Sequence, residues 1–372
     1  MTIKVWDYLA ELDAERDDIM AGIDKVLRSG RLILGDSVRG FEQAFAAYCG
    51  SAHGVGVDNA TNGLVLALRA LGIGAGDEVL TVANTAVPTV SAIVTAGATP
   101  RFVDVDPATA LMDVGQLAAA VGPRTRCILP VHLYGQCCDM QAIGAIAGRH
   151  ELAVVEDCSQ SHGATQRGAK AGSFGDCGVF SFYPTKPLGT FGDGGLITTS
   201  RAPIDARLRR LRFYGMDTQY YAEEHGYNAR LDELHAEILL RKLARLEGYI
   251  ARRRALAARY QAGLAGTGLV LPHEFGGNRH VYYVYVVRHP QRERLMAHLA
   301  RHDIATNISY PYPIHTMRGY ASLGGKAGDL PVTERLCREI FSLPMYPGLT
   351  DDEQERVIEV LRDALEHVPA PE

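Results

Sequence analysis

Short apolar runs alternate with helix-periodic segments through the first half of the chain. Residues 55–58 form a short apolar run, and GLVLALRALG (63–72) repeats its hydrophobics at helical spacing. EVLTVAN (78–84) reads as a strand and VPTVSAIVTAG (87–97) as a helix. PRFVDVD (100–106), RCILPVHL (126–133) and AVVEDCS (153–159) read as three further strands, with the helix MQAIGAIAGRHE (140–151) between the last two. GVFSFY (178–183) and GGLITTS (194–200) follow close together across a Gly-rich loop. Strands and helices at this spacing predict an α/β unit with a mostly parallel sheet. The close pair over 178–200 leaves no room for a crossover helix, so one antiparallel strand is predicted there.

The pattern changes after about residue 204. ARLRRLRFYG (206–215) is basic and amphipathic, and residues 232–264 read as one long helix, straight or bent, with Leu234, Ile238, Leu239, Leu243 and Leu246 near the 3.6 period. Beyond Pro272 a smaller α+β pattern follows. VYYVYVVR (281–288) is a strand, RERLMAHLARHD (292–303) a helix, IATNISYP (304–311) a strand, and DDEQERVIEVLRDALEHV (351–368) a closing amphipathic helix. The division expected is a large unit over 1–249 with an N-terminal helix and a small C-terminal unit over 250–372. No linker separates them, so they should pack together.

Composition narrows the classes. The 372 residues carry 38 Lys and Arg against 43 Asp and Glu, a formal charge of −5, which excludes a globally basic nucleic-acid binder. No apolar stretch approaches the length of a membrane span. The acidic start lacks the basic-then-apolar order of a signal peptide. Seven cysteines with no C-x-x-C pair read as reduced thiols of a cytoplasmic protein, and no metal site is expected.

The block 154–199 concentrates the candidate chemistry. Asp157 ends an apolar run and Gln160 lies three residues on. Ser181 and Lys186 end the next β run, before the glycines of GDGG. A strand-end carboxylate and a lysine beyond a neighbouring strand suit pyridoxal phosphate (PLP): the lysine forms the Schiff base, and the carboxylate keeps a proton on the pyridine nitrogen. A hydroxyl such as Ser181, with N–H groups at a helix start, suits the phosphate. On residue types alone, a capping Asp and a solvated Lys is the commoner reading.

The longer phrases shift that balance. EDCSQSHGA (156–164) and SFYPTKPLGTFGDGG (181–195) resemble the signature of the DegT/StrS family of PLP-dependent sugar aminotransferases. The resemblance runs in family order through residues 29–48, 56–72, PVHLYGQ (130–136), GYNARLDEL (226–234), NISYPYPIHTM (307–317) and FSLPMYPGL (341–349). It implies a type I PLP-dependent transferase fold: a seven-stranded mixed sheet, a smaller C-terminal α+β domain, and a homodimer with shared active sites. It implies the Schiff-base role for Lys186, the ring-nitrogen role for Asp157 and a place near the ring hydroxyl for Gln160. Ser181, Thr61 and Asn62 match phosphate ligands, and Asn228 matches the asparagine that reaches the phosphate from the partner subunit. Arg230, Tyr310 and His315 fall in segments lining the sugar-nucleotide side. Relatives with His in place of Lys186 are sugar dehydratases, so the lysine favours transamination, with Lys186 also the general acid and base. The substrates implied are L-glutamate and a nucleotide-linked keto sugar, and the cofactor alternates between PLP and pyridoxamine phosphate (PMP). NTAVPT, RCILPVHLYGQC and NISYPYPIHTM look most like the branch acting at C3 of dTDP-3-oxo-6-deoxyhexoses. Amination at C4, a dehydratase and a PLP-retaining regulator are the alternatives. One departure stands out: where many relatives stack an aromatic residue on the ring, this chain has Ala86.

Other features read as structural. GVGVDN lacks the third glycine of a dinucleotide fingerprint. Cys137 and Cys138 near His132 read as thiols rather than ligands. His162 has a structural reading beside a cofactor-facing one. ARRRALAAR (251–259) reads as a solvated charged face ahead of an interface or phosphate-attracting patch, and strand alternation would put Tyr283 and Tyr285 on one face, for sheet packing ahead of substrate lining.

Overall fold

The computed structural model describes residues 2–366. Its centre is a sheet of β1 (His53–Val57), β2 (Glu78–Val82), β3 (Thr99–Val103), β4 (Thr125–Ile128), β5 (Ala153–Asp157), β8 (Cys177–Ser181) and β9 (Gly195–Thr199). The short strands β6 (Thr165–Gln166) and β7 (Ala169–Lys170) form a hairpin between β5 and β8. The spatial order is β1-β9-β8-β5-β4-β2-β3. β9 runs antiparallel to both of its neighbours, and the other pairs are parallel. The antiparallel strand therefore falls where the short 178–200 spacing predicts it.

Among the described residues, nine α-helices precede residue 265: α1 (Leu9–Ser29), α2 (Asp36–Cys49), α3 (Ala60–Ala70), α4 (Val87–Thr95), α5 (Val114–Ala120), α6 (Met140–Arg149), α7 (Ala202–Leu211), α8 (Glu233–Leu243) and α9 (Leu246–Leu264). Strand alternation splits the core between the two faces of the sheet. Val179 and Ile197 join Leu64 and Leu68 of α3 in one apolar cluster. Phe180 and Leu196 join Phe41 and Phe45 of α2 and Leu239 of α8 in another. A further cluster gathers Ile3 with Leu256, Tyr260, Tyr285, Phe341 and Leu361, so Ile3 packs against residues from the last third of the chain.

Four sequence expectations are corrected by the structure. The single helix over 232–264 is two, broken at Ala244–Arg245, where Arg245 N–H turns to the Lys242 carbonyl and its guanidinium meets Asp18 at 3.1 Å. The charged run 251–259 is not wholly solvated. Arg252, Arg254 and Arg259 pair with surface carboxylates, but Arg253 is 2% exposed and donates Nη1 to the carbonyls of Tyr282, Tyr283 and Met345. Residues 304–311 make only two isolated bridges, Ile304 to Ile3 and Asn307 to Ser342, rather than a strand. In 281–288 only Tyr285–Arg288 is strand, and Tyr282 adopts a left-handed φ of 50°. That twist breaks the alternation: Tyr282 packs with Tyr285 at 6.1 Å, and Tyr283 turns away to Thr185 and Lys186.

Beyond α9 the chain adds β12 (Asn278–Arg279), β13 (Tyr285–Arg288), α10 (Arg292–Arg301), α11 (Pro331–Glu339), β14 (Ile340–Leu343) and α12 (Asp351–Glu366). β13 and β14 pair antiparallel, and β12 pairs with β6. The predicted closing helix extends to 368; its last two positions lie outside the described residues. Between α7 and α8, β10 (Met216–Thr218) and β11 (Tyr221–Ala222) make a small exposed flap.

Candidate active site

Register brings the candidate residues to one edge of the sheet. Val57 and Ser181 both pair with Gly195, and Asp157 pairs with Val179, so the ends of β1, β8 and β5 and the start of β9 align. A cleft of about 230 Å³ opens there, lined by Thr61, Asp157, Gln160, Ser181 and Lys186 together with Asn59, Thr85, Ala86, Thr89 and Tyr183.

The α3 end supplies amide donors. Asn59 caps the helix, accepting Asn62 N–H at 2.9 Å, which leaves the Ala60 and Thr61 amides at the cleft without helical acceptors. A Cβ on Gly195 would meet the Asn59 carbonyl carbon at 2.7 Å and Ala60 N at 2.8 Å, so only glycine lets β9 approach this turn. Asn62 sits in the turn, but its side chain donates to Asp58 at 2.7 Å and it does not line the cleft.

Asp157 is 5% exposed. Its Oδ2 accepts from Thr89 Oγ1 at 2.8 Å, and Oδ1 from Ser159 N–H at 3.1 Å. Thr85 stands behind Thr89 at 2.9 Å. Each carboxylate oxygen keeps a lone pair toward the cleft. Gln160 is pinned twice, accepting Tyr134 N–H at 2.7 Å and donating to the Tyr310 hydroxyl at 2.9 Å. Burial, with Tyr283 and Asp157 nearby, pushes the Tyr310 phenol up, so it keeps its proton. Lys186 Nζ lies 4.7 Å from the centre of the Tyr283 ring.

Three expected residues stand apart from the cleft. Asn228 is exposed and bridges Phe213. Arg230 lies over the rings of Phe213 and Tyr214, at 5.3 and 5.6 Å. His315 is buried, held by Glu334 at 3.1 Å. Ala86 does line the cleft, as the N-cap of α4, and Tyr183 is the one aromatic side chain beside it among the described lining residues. Sequence reading missed Thr85 and Thr89, and ranked substrate lining second for Tyr283. The two threonines lie within the quoted NTAVPT, but only the approach of α4 to β5 reveals their partner.

His162 is fully buried among Phe45, Phe180 and Phe182, and burial together with the Lys186 charge pushes it down to about 3. It acts as a neutral packing residue. His132, Glu156 and Cys158 bring possible ligand atoms within 4.8 Å of one another. Glu156 already accepts four donors, from His132, Gly172, Phe174 and Gly175, and His132 Nδ1 accepts Cys138 N–H. The group therefore ties the 172–175 loop to β5. All seven cysteines are buried and unbridged. No helix among the described residues is long and apolar enough to cross a membrane.

Comparison with known proteins agrees with this geometry. Residues 13–362 match the model of the DegT/DnrJ/EryC1/StrS aminotransferase family. A dTDP-3-amino-3,4,6-trideoxy-alpha-D-glucose transaminase of Micromonospora megalomicea subsp. nigra is 55% identical over 98% of this chain and 99% of its own. The crystal structure of S. venezuelae DesV in complex with a ketimine intermediate superposes with a TM-score of 0.97 at 42% identity, covering 99% of this chain and 100% of that one. The ntda protein of Bacillus subtilis with bound cofactor PMP gives 0.90 at 30% identity, over 95% of this chain and 82% of that one. The cleft suits that cofactor: free amides at a helix start for phosphate, a buried carboxylate for a ring N–H, and a lysine in the same lining. The cofactor is pyridoxal phosphate, and this chain is an enzyme that belongs to the DegT/DnrJ/EryC1/StrS aminotransferase family.

Proposed function

We propose that the enzyme moves an amino group from L-glutamate to the C3 ketone of a dTDP-linked 3-oxo-6-deoxyhexose, for amino-sugar synthesis. The observation that carries this is the convergence of Lys186, Asp157 and the α3 amides on one cleft, in a chain 55% identical to a dTDP-sugar transaminase. Bound pyridoxal phosphate supplies the electron sink. Asp157, fixed by Thr89 and Ser159, keeps a proton at the ring nitrogen. The Ala60 and Thr61 amides and Ser181 Oγ hold the phosphate. Gln160, fixed at both ends of its amide, orients the ring hydroxyl side. Lys186 Nζ takes the proton from the donor α-carbon and returns one at the sugar carbon in the second half-reaction. The working unit in this reading is a homodimer in which Asn228 completes the partner's phosphate site and Arg230, Tyr310 and His315 serve the nucleotide-sugar side. The buried, unbridged thiols suit the reducing cytoplasm.

The test is a panel of dTDP- and UDP-linked 3-keto and 4-keto sugars with L-glutamate, read by mass spectrometry of the product. Amination of the dTDP-3-keto sugar is expected. Turnover of 4-keto sugars alone would overturn the C3 assignment, and loss of a hydroxyl without amination would overturn transamination.

A further inference from the structure

Lys186 lines a second space besides the cofactor cleft. A cavity of about 380 Å³ adjoins it on the side of α1, α8 and α9. Its aromatic wall runs from Trp6 through Tyr8, stacked at 5.4 Å, to Phe191, edge-on at 6.1 Å. Lys242 lies beyond, its Nζ 5.4 Å from the centre of the Phe191 ring.

The charges in this cavity are unusual for their burial. Lys242 is 7% exposed, yet no hydrogen bond or ion pair engages its ammonium among the described residues. Buried lysines are ordinarily paired. Arg253 is 2% exposed; its Nη1 serves three backbone carbonyls, and its Nε meets no acceptor. The one carboxylate lining the cavity, Glu11, lies beyond ion-pair distance of either cation, and burial raises it. With Lys186 committed to the cofactor, two cations face one carboxylate. That balance leaves room for one negative charge, and the ammonium supplies its donors.

We propose that this cavity receives the distal carboxylate of a dicarboxylic amino donor, with Lys242 Nζ as its direct partner and Arg253 as a fixed positive charge behind it. The proposal rests on the L-glutamate reading above. The shared wall at Lys186 supports it: a donor reacting at the cofactor cleft has its second carboxylate within reach of this space. The diphosphate of a nucleotide sugar, with two negative charges, would exceed the single charge left open once Glu11 is counted.

Glutarate, a dicarboxylate with no amino group to react, is the probe. Trp6 is the chain's single tryptophan and lines the cavity, so its emission reports occupancy. Titrating the cofactor-loaded enzyme with glutarate is expected to give a saturable change in emission. Lys242→Met is expected to weaken glutarate roughly tenfold or more, the scale of one charge-assisted hydrogen bond, and Lys242→Arg to restore most of it. Glu11→Gln removes the opposing charge and is expected to tighten glutarate severalfold, a gain that a folding defect does not produce. In kinetics, Lys242→Met should raise KM for glutamate by a larger factor than KM for the nucleotide sugar. The proposal fails if glutarate leaves Trp6 unchanged, if Lys242→Met binds it like the parent, or if the variants affect only the nucleotide sugar. If glutarate binds as described but glutamate never converts the cofactor, the donor reading fails and the carboxylate subsite stands.

Discussion

The cofactor cleft and the exposed flap between α7 and α8 place their functional groups in opposite ways. In the cleft, Asp157 and Gln160 are each held by two hydrogen bonds from their own chain, and their supports reach back to Thr85 and Tyr134. On the flap, Asn228 is exposed, and Tyr220 and Tyr221 are 89% and 62% exposed beside it. Arg230 is oriented by rings rather than by a carboxylate. A cleft built this way is pre-organised within one chain. The flap instead presents Asn228 outward, where the proposed homodimer would place another copy.

The largest effect should come from removing the lysine the cleft is built around. Lys186→Ala is expected to lose roughly 10²–10⁴-fold in turnover while keeping PMP binding, since the other cleft residues remain. Borohydride treatment of the parent should fix the cofactor to the peptide containing Lys186. Labelling of Lys170 or Lys242 instead would break the reading of the cleft.

The flap is tested by complementation. Asn228→Ala alone is expected to weaken the cofactor and depress turnover. Mixed with Lys186→Ala under conditions where subunits exchange, it should recover activity. In such a heterodimer one site carries both defects and the other neither, so about half of the mixed sites are intact. Activity that never exceeds that of either parent, with exchange demonstrated by mass spectrometry, would return Asn228 to its own chain.

A smaller change probes how much the internal pinning matters. Thr89→Val keeps shape and removes the hydroxyl between Asp157 and Thr85. It leaves Asp157 Oδ2 one donor short, at about 1–3 kcal/mol of stability, measurable by denaturant unfolding. Turnover should fall only a fewfold, with the absorption band of the bound cofactor shifted. An unchanged spectrum and rate would mean that the carboxylate holds its place without its support.

Legibility in the sequence follows the same division. The strands and their order of helices were readable because each is a local pattern, and the antiparallel β9 followed from a spacing too short for a crossover. Lys186, Asp157 and Gln160 stood out because they sit inside long, distinctive phrases. Thr89 did not, because its role depends on contact across 68 positions, which no local pattern encodes. Tyr283 was placed on the wrong face because a single left-handed residue before it resets the alternation. Arg253 looked solvated because a run of arginines does not say which of them the helix turns inward.

The reversed direction of β9 has a consequence for how the protein assembles. Lys186 lies on a loop whose two ends, Ser181 and Gly195, are already paired with each other. That half of the cleft closes through a short hairpin, with little entropy to lose. The opposing half joins segments far apart in the chain, Asp157 to Thr89 and Gly195 to Asn59, and contacts of such long sequence separation form slowly. A chain that has folded only its hairpin presents the lysine without the carboxylate or the phosphate turn. Tight capture of the cofactor thus waits on completion of the whole sheet, and once bound it holds the native state by mass action. The coenzyme in this arrangement serves as a latch on the finished fold as well as a participant in its chemistry.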